Sequence, residues 1–175
     1  MVLLRATQKL LRSMPQSAAD SATSSNALGD WYINRIVVDR KPLLLAVSSK
    51  SLLSIVVPAR DLKTLPDRFA TLVEVRLRRL DVSDSAVVSE AEATAVVSVG
   101  RTVDRSVVGQ LVDFAKSIPF YLPINGWDES SLPEVEDNLA ETPCRSSRTG
   151  ADIIWPKKKA AALLTTVWPS SRTRH

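Results

Sequence analysis

In Trp31-Tyr-Ile-Asn-Arg-Ile-Val-Val-Asp-Arg-Lys-Pro-Leu-Leu-Leu-Ala-Val-Ser-Ser-Lys-Ser-Leu-Leu-Ser-Ile-Val-Val57, three apolar runs of strand length follow one another. Short polar segments at 39–42 and 48–51 separate the runs. Apolar runs joined by tight polar turns predict an antiparallel meander. Because the runs are nearly continuous rather than alternating, both faces of the sheet must be covered, and we expect helices to pack on it.

The flanking sequence supplies those helices and further strands. Apolar residues at helical spacing predict five helices, at 67–80, 84–94, 104–118, 132–141 and 156–167. The third of these is expected to end before Pro119. Short apolar runs predict strands at 2–4 and 95–99, with a possible edge strand at 152–155. The chain of 175 residues is therefore expected to form a single α+β domain with an antiparallel sheet of four or five strands and helices packed on it.

Charge divides the chain into two parts. Residues 145–175 hold seven basic residues and one acid, whereas residues 1–144 carry a net charge of −2. We expect an α+β body at 1–144, with a mobile surface loop at 15–29, followed by a basic C-terminal extension containing a possible short strand and a helix. The weakly acidic body lacks the electrostatic footprint of a duplex-binding protein, but the extension could contact a polyanion.

Several chemistries are disfavoured by what the chain contains. Cys144 is the single cysteine and His175 the single histidine, so neither an intramolecular disulfide nor a zinc site of His and Cys is expected. A histidine-activated nucleophile is disfavoured for the same reason. The spacing of Asp30, Asp61, Asp104 and Asp113 does not require a metal, and no cofactor is predicted. No apolar run is long enough to span a membrane, and cysteine usage fits a cytoplasmic protein.

The first candidate site is an anion site made by Arg101, Thr102, Arg105 and Ser106, where a strand is predicted to lead into a helix. The free N–H groups at the start of a helix attract phosphate, sulfate or carboxylate. Two cations near a positive helix end also call for negative charge nearby. The alternative is that internal acids, either Asp104 or residues of the 132–141 helix, supply that charge.

The second candidate is an aromatic and polar contact made by Asp30, Trp31, Tyr32 and Asn34. Aromatic rings beside polar groups can stack on a base or another ring. The alternative favours Trp31 and Tyr32 as anchors of the sheet edge, with their N–H and O–H groups reaching backbone carbonyls.

The third candidate is a polyanion contact made by Lys157, Lys158 and Lys159 at the start of the last predicted helix. Cations at this end of a helix oppose its dipole. Either the acids of the 132–141 helix neutralise these lysines, or the lysines contact an external polyanion.

Five segments of the chain carry a family resemblance. They are Thr7-Gln-Lys-Leu-Leu11, Leu28-Gly-Asp-Trp-Tyr32, Val57-Pro-Ala-Arg-Asp-Leu-Lys-Thr-Leu-Pro66, Gly100-Arg-Thr-Val-Asp-Arg-Ser-Val-Val-Gly109 and Leu139-Ala-Glu-Thr-Pro-Cys144. By the order and spacing of these segments, the chain resembles a bacterial family of hypothetical proteins classed as a domain of unknown function. The resemblance implies a small bacterial cytosolic protein. Where the family pattern has Ser-Met-Asn after the glycine, this chain has Gln110, Leu111 and Val112. We expect Leu111 and Val112 to extend the apolar face of the helix.

These observations favour a noncatalytic binding or interaction module. The start of the 104–118 helix would bind an anion, and the basic extension would be a further contact. The alternative function is an enzyme acting on a phosphate-containing substrate, such as a nucleic-acid hydrolase, with Arg101 and Arg105 stabilising phosphate charge. The possible partners are a small anion or nucleic acid held by the basic extension, or a protein.

Overall fold

A computed structural model describes residues 1–15, 22–60, 62–145 and 152–170 and shows an α+β fold built on a mixed β-sheet. Its centre is a five-stranded sheet with the strand order β4-β3-β2-β1-β5. The strands are β1 (Val2–Ala6), β2 (Trp31–Val38), β3 (Lys41–Ser48), β4 (Ser54–Pro58) and β5 (Val97–Arg101). A separate two-stranded ribbon joins β6 (Cys144–Arg145) to β7 (Ile153–Ile154).

The meander is confirmed, but the sheet is mixed rather than purely antiparallel. Strands β2, β3 and β4 pair antiparallel, and the β2–β3 turn places Asp39 and Arg40 at φ values of 50° and 64°. Two successive positive φ values match the twist of a two-residue hairpin. The prediction is wrong for β1, which pairs parallel with both β2 and β5. Residues 7–30 separate β1 from β2, and a connection of that length allows the crossover that parallel pairing requires.

Within the described residues, six α-helices surround the sheet, and each of the five predicted helices is present. They are α1 (Gln8–Leu11), α2 (Leu65–Leu77), α3 (Asp84–Ala93), α4 (Arg105–Tyr121), α5 (Leu132–Ala140) and α6 (Pro156–Val167). Helix α4 continues through Pro119, where the sequence predicts its end. A proline so close to the last turn removes one hydrogen bond, and the fully buried Ile118 holds the turn against the core.

The helices divide between the two faces of the sheet, as the continuous apolar runs predict. On one face, residues of α1, α2, α3 and α6 pack around Trp31, whose ring lies 5.7 Å from that of Phe69 in an edge-to-face arrangement. On the other face, α4 and α5 pack over Tyr32, Leu45 and neighbouring residues. Alternate residues of β2, β3 and β4 therefore serve separate cores.

A buried carboxylate explains why the segment before β2 departs from the predicted surface loop. Residues 26–29 are buried, while 16–21 lie outside the described residues. Glu90 of α3 is fully buried and accepts hydrogen bonds from Asn26 Nδ2 at 3.0 Å and from the backbone N–H groups of Ala27 and Leu28 at 2.8 and 3.0 Å. These donors draw the segment inward, because a buried carboxylate is stable only when it is fully hydrogen-bonded.

The same carboxylate fixes the last helix. Trp168 Nε1 donates to Glu90 at 2.7 Å, and Ala160 and Leu164 are completely buried in the core beneath α3. The basic segment therefore contains the predicted helix, but that helix is built into the body.

An ion pair covers the outer edge of β4, which is the last strand of the sheet and pairs with β3 along its other edge. Arg76 of α2 donates to the Ser54 carbonyl at 2.9 Å, and Glu136 of α5 accepts from the Val56 N–H at 3.3 Å. Arg76 Nε lies 3.0 Å from Glu136 Oε2, and the two residues are 1% and 5% exposed. Burial raises the pKa of Glu136 and lowers that of Arg76. The pair supplies the donor and acceptor that another strand would offer, so the edge is not available for pairing.

We expect Arg76→Leu to lower the free energy of unfolding by about 3 kcal/mol, because it strands the buried Ser54 carbonyl and leaves Arg79 as the remaining ion-pair partner of the buried Glu136 carboxylate. The double variant Arg76→Leu/Glu136→Leu should recover part of this loss in urea denaturation. Arg78→Leu is the matched control on the same helix, since its ion pair with Glu74 is exposed and should contribute little. Equal stability of the Arg76→Leu and Arg78→Leu variants would contradict a role in closing the edge.

Candidate functional site

The predicted anion site lies where β5 ends and α4 begins. Arg101, Arg105 and Ser106 are exposed, and Thr102 is half-buried. Neither arginine forms an ion pair with any described residue, so the predicted pairing with acids of α5 does not occur there. Because β1 and β5 run parallel, their carboxyl ends meet at this point, the edge of a sheet where ligands commonly bind.

The helix start at this site already holds a carboxylate. Asp104 is the N-cap of α4, and its Oδ1 accepts from the Ser106 N–H at 2.8 Å and from Ser106 Oγ at 2.7 Å. These hydrogen bonds hold the pKa of Asp104 below its usual value. An external anion at the first turn would therefore compete with an internal one, although the two arginines remain accessible.

Arg5 is a part of this region that the sequence pattern missed. It lies on β1, bonds the Asp30 carboxylate through Nε, and donates from Nη1 to the Arg101 carbonyl at 3.1 Å. A charged residue within an otherwise buried strand is the signal for such a role. Arg5 therefore fixes the backbone of Arg101.

The aromatic and polar candidate does not form a single contact surface. Trp31 and Tyr32 are 0% and 2% exposed and point to opposite faces of the sheet. Asp30 accepts from Arg5 and from Ser24 Oγ at 2.6 Å, and Asn34 accepts from Thr7 Oγ1 at 2.8 Å. These side chains are committed to the fold, because neighbouring strand residues alternate between two cores.

The predicted anchoring role of the two aromatics is correct in burial but not in hydrogen bonding. Tyr32 Oη accepts from the Asp104 N–H at 3.1 Å instead of donating to a carbonyl. Burial raises the pKa of the Tyr32 phenol. Trp31 Nε1 has no hydrogen-bond partner within the part of the chain that is described. Tyr32 therefore ties the sheet to the start of α4, while Trp31 acts only through packing.

The three lysines of the third candidate lie together, exposed, on the first turn of α6. This helix begins at Pro156 without a side-chain N-cap. Lys157 Nζ lies 3.7 Å from Glu141, and Lys158 Nζ lies 5.6 Å from the centre of the Trp155 ring. The acids of α5 thus neutralise only one lysine, since Glu136 and Asp137 pair with Arg76 and Arg79.

Trp155 completes what we call the basic aromatic surface, made of Trp155, Lys157, Lys158 and Lys159. Trp155 is 45% exposed between two hollows. The first has a volume of about 480 Å³ and includes the acids Asp81 and Glu141. The second, about 690 Å³, is lined by Trp155, Lys158, Lys159, Asp152, Ile153, Ile154 and Ala162. The sequence signal was a tryptophan directly before Pro-Lys-Lys-Lys, although its exposure depends on tertiary packing.

Cys144 does not have the character of a nucleophile. It is 4% exposed, and its Sγ donates to the Thr142 carbonyl at 3.3 Å. Burial, with a smaller effect of Asp113, raises the pKa of this thiol to about 11. A neutral thiol is a weak nucleophile at physiological pH.

Two further findings concern metal binding and membrane spanning. Within residues 1–15, 22–60, 62–145 and 152–170, no group of three or more His, Cys, Asp and Glu side chains is arranged to hold a metal ion. None of the helices in those ranges combines the length and apolar character needed to cross a membrane.

The fold and its surfaces define a small α+β protein with a mixed sheet and a basic aromatic surface built on its last helix. The chain belongs to the family described as a domain of unknown function (DUF6933), whose sequence model matches residues 3–159. This match confirms that the chain falls in a family of unknown function. It covers the five-stranded sheet except for Val2 and ends at Lys159, the last of the three lysines. None of the curated proteins matches the chain.

The prediction that Leu111 and Val112 extend the apolar face of α4 is correct for Leu111 and wrong for Val112. Leu111 is buried in the core beneath α4, as expected. Val112 is 46% exposed and does not extend the apolar face, because adjacent residues on a helix point about 100° apart.

Asp104→Ala should destabilise the protein by about 1 kcal/mol at neutral pH through loss of the N-cap, whereas Asp104→Ser should be nearly neutral. The pKa of Asp104 is lower in the folded protein than its ordinary value near 3.9, so the ionised carboxylate stabilises the folded state at pH values above about 3.9. This stabilisation is lost as the pH falls through the folded-state pKa. The gap between wild type and Asp104→Ala in urea unfolding should therefore close below about pH 4. An Asp104→Ala protein as stable as wild type at pH 7 would refute the capping role.

Cys144 should react with a disulfide reagent such as DTNB at least about 100-fold more slowly in the native protein than in urea at pH 8, because the buried thiol holds its proton. The release of thionitrobenzoate measures both rates. Native and unfolded rates within about ten-fold of each other would contradict the raised pKa.

Proposed function

We propose that the protein is a noncatalytic binding module that holds a single-stranded nucleic acid through the basic aromatic surface. The observation that carries this proposal is the half-exposed Trp155 beside an uncapped helix start bearing three lysines. Stacking on an aromatic ring and attraction of the phosphate backbone by cations are the two contacts that sequence-tolerant single-strand binding requires.

The arrangement of charge supports an external anion. Three cations at the positive end of a helix are unfavourable unless negative charge lies nearby. Glu141 pairs with Lys157 alone, so Lys158 and Lys159 lack an ion-pair partner among the described residues. A bound phosphate would offset both the lysines and the free N–H groups of the first turn.

The shape of the second hollow supports a base as well as a phosphate. Trp155, Ile153 and Ile154 give it an apolar wall, and Lys158 and Lys159 lie along its edge. Asp152 is the one acid among its lining residues. A flat ring could contact Trp155 while its phosphate lies over the lysines.

Arg101, Thr102, Arg105 and Ser106 form a secondary anion contact in this proposal, limited by the competing Asp104 carboxylate. The bacterial, cytoplasmic setting implied by the family resemblance and by cysteine usage remains part of the proposal.

The alternative of an enzyme acting on a phosphate-containing substrate has less support. Asp30 is occupied by Arg5 and Ser24, and Asp61 lies outside the described residues. Asp113 lines a cavity in which neither Arg101 nor Arg105 takes part. The carboxylate that the described residues place beside the arginines is Asp104, which is already engaged by Ser106 as the N-cap of α4.

The test is fluorescence anisotropy of a labelled oligothymidine and an oligouridine, titrated with protein at several salt concentrations. Replacement of Lys157, Lys158 and Lys159 by Glu should weaken binding at least about ten-fold. It should also reduce the slope of log K against log salt concentration by about two, because each phosphate contact on a single strand adds about 0.7 to that slope. Trp155→Ala should weaken binding by about 1–3 kcal/mol while leaving the salt slope nearly unchanged.

The matched control reverses three exposed lysines elsewhere, Lys9, Lys50 and Lys116, and so makes the same change in net charge. This control variant should bind the oligonucleotides much more tightly than the variant with Lys157, Lys158 and Lys159 replaced by Glu. Equal weakening by both triple variants would point to net charge alone, and failure of wild type to bind either oligonucleotide at low salt would overturn the proposal.

A further inference from the structure

Gly109 lies inside α4 without a packing reason for being a glycine. A Cβ placed on it would meet no atom within 4 Å, and its φ lies outside the positive range that favours glycine. Glycine within a helix is less stable than alanine, so a packed neighbour or a strained backbone would ordinarily explain it. Neither explanation applies to Gly109. The remaining feature that could explain the glycine is the open space beside it.

That space is a cavity of about 460 Å³ between α4 and the segment leading into β6. It is distinct from the basic aromatic surface on α6. Phe114, Pro143 and Cys144 give it apolar lining, and the polar lining comes from Ser106, Gln110, Asp113, Ser117, Thr142 and Arg145. A cavity of this size with a few convergent polar groups suits a small molecule.

The cavity is lined by one acidic and one basic side chain. Asp113 and Arg145 line the same space, yet neither forms an ion pair with the other or with another residue of the described ranges. A ligand with a single charge would leave one of them without a partner and repel the other. A ligand carrying both an ammonium and a carboxylate group would satisfy both.

The hydroxyl groups strengthen the case for an ammonium group. Ser117 Oγ donates to the Asp113 carbonyl and Thr142 Oγ1 to the Asn138 carbonyl, each at 3.0 Å. With its proton committed, Ser117 Oγ faces a new partner as an acceptor, whereas Thr142 Oγ1 already lies 3.5 Å from Tyr121 Oη. The N–H groups of an ammonium are the matching donors.

We propose that this cavity binds a free amino acid, with its ammonium group at Asp113, its carboxylate at Arg145 and its side chain against Phe114 and Pro143. The absence of a side chain at Gly109 leaves room for the ligand to approach α4. This site is independent of the nucleic-acid contact proposed above.

The experiment is a thermal-shift screen of the full chain with each common L-amino acid at about 10 mM, followed by calorimetry of those that raise Tm. At least one should stabilise the wild type. Its N-acetyl and amide derivatives, each lacking one charge, should bind at least about ten-fold more weakly.

Gly109→Leu should abolish binding by filling the cavity, and it should leave Tm of the free protein unchanged or higher, since leucine favours the helix. Gly109→Ala is the matched control that adds one methyl group and should retain most of the binding. Asp113→Asn and Arg145→Gln should each reduce affinity at least about ten-fold.

Three results would overturn the proposal. They are no stabilisation of wild type by any amino acid, undiminished binding to Gly109→Leu, or equal affinity for the acetylated ligand. Because Gly109→Leu is expected to fold, its loss of binding would not be mistaken for loss of structure.

Discussion

The buried ion pair between Arg76 and Glu136 is the contact on which the arrangement of helices around the sheet depends. It joins α2, which packs on one face of the sheet, to α5, which packs on the other, across the edge of β4. Its polar atoms bond the backbone of Ser54 and Val56. A purely apolar contact could bring the two helices together, but it would leave those backbone groups unsatisfied.

Glu90 serves the opposite side of the molecule by similar means. As a buried carboxylate without an ion-pair partner among the described residues, it is stabilised by donors from the segment before β2 and from Trp168. This network brings α6 onto the body and thereby fixes where the basic aromatic surface lies. The position of the basic aromatic surface therefore depends on the hydrogen bonds that the buried Glu90 side chain accepts.

Local patterns were sufficient for much of the fold. Apolar periodicity and turn residues predicted the meander and the helices, because these depend on residues close together in the chain. Local patterns could not reveal that Trp31 and Tyr32 serve opposite cores, that residues 26–29 are buried, or that Trp155 is exposed. Charge alone predicted Lys157, Lys158 and Lys159 as contact residues, whereas the cavity above Gly109 joins residues distant in sequence.

The sequence by itself determined the alternation of strands and helices, the concentration of positive charge after residue 144, and the scarcity of histidine and cysteine. Only the tertiary structure decided the parallel placement of β1 between β2 and β5 and the exposure of Trp155. Periodicity records which face of an element is apolar, but it carries no record of the partner that covers it. That choice depends on long-range hydrogen bonds and packing, which form only when distant segments meet.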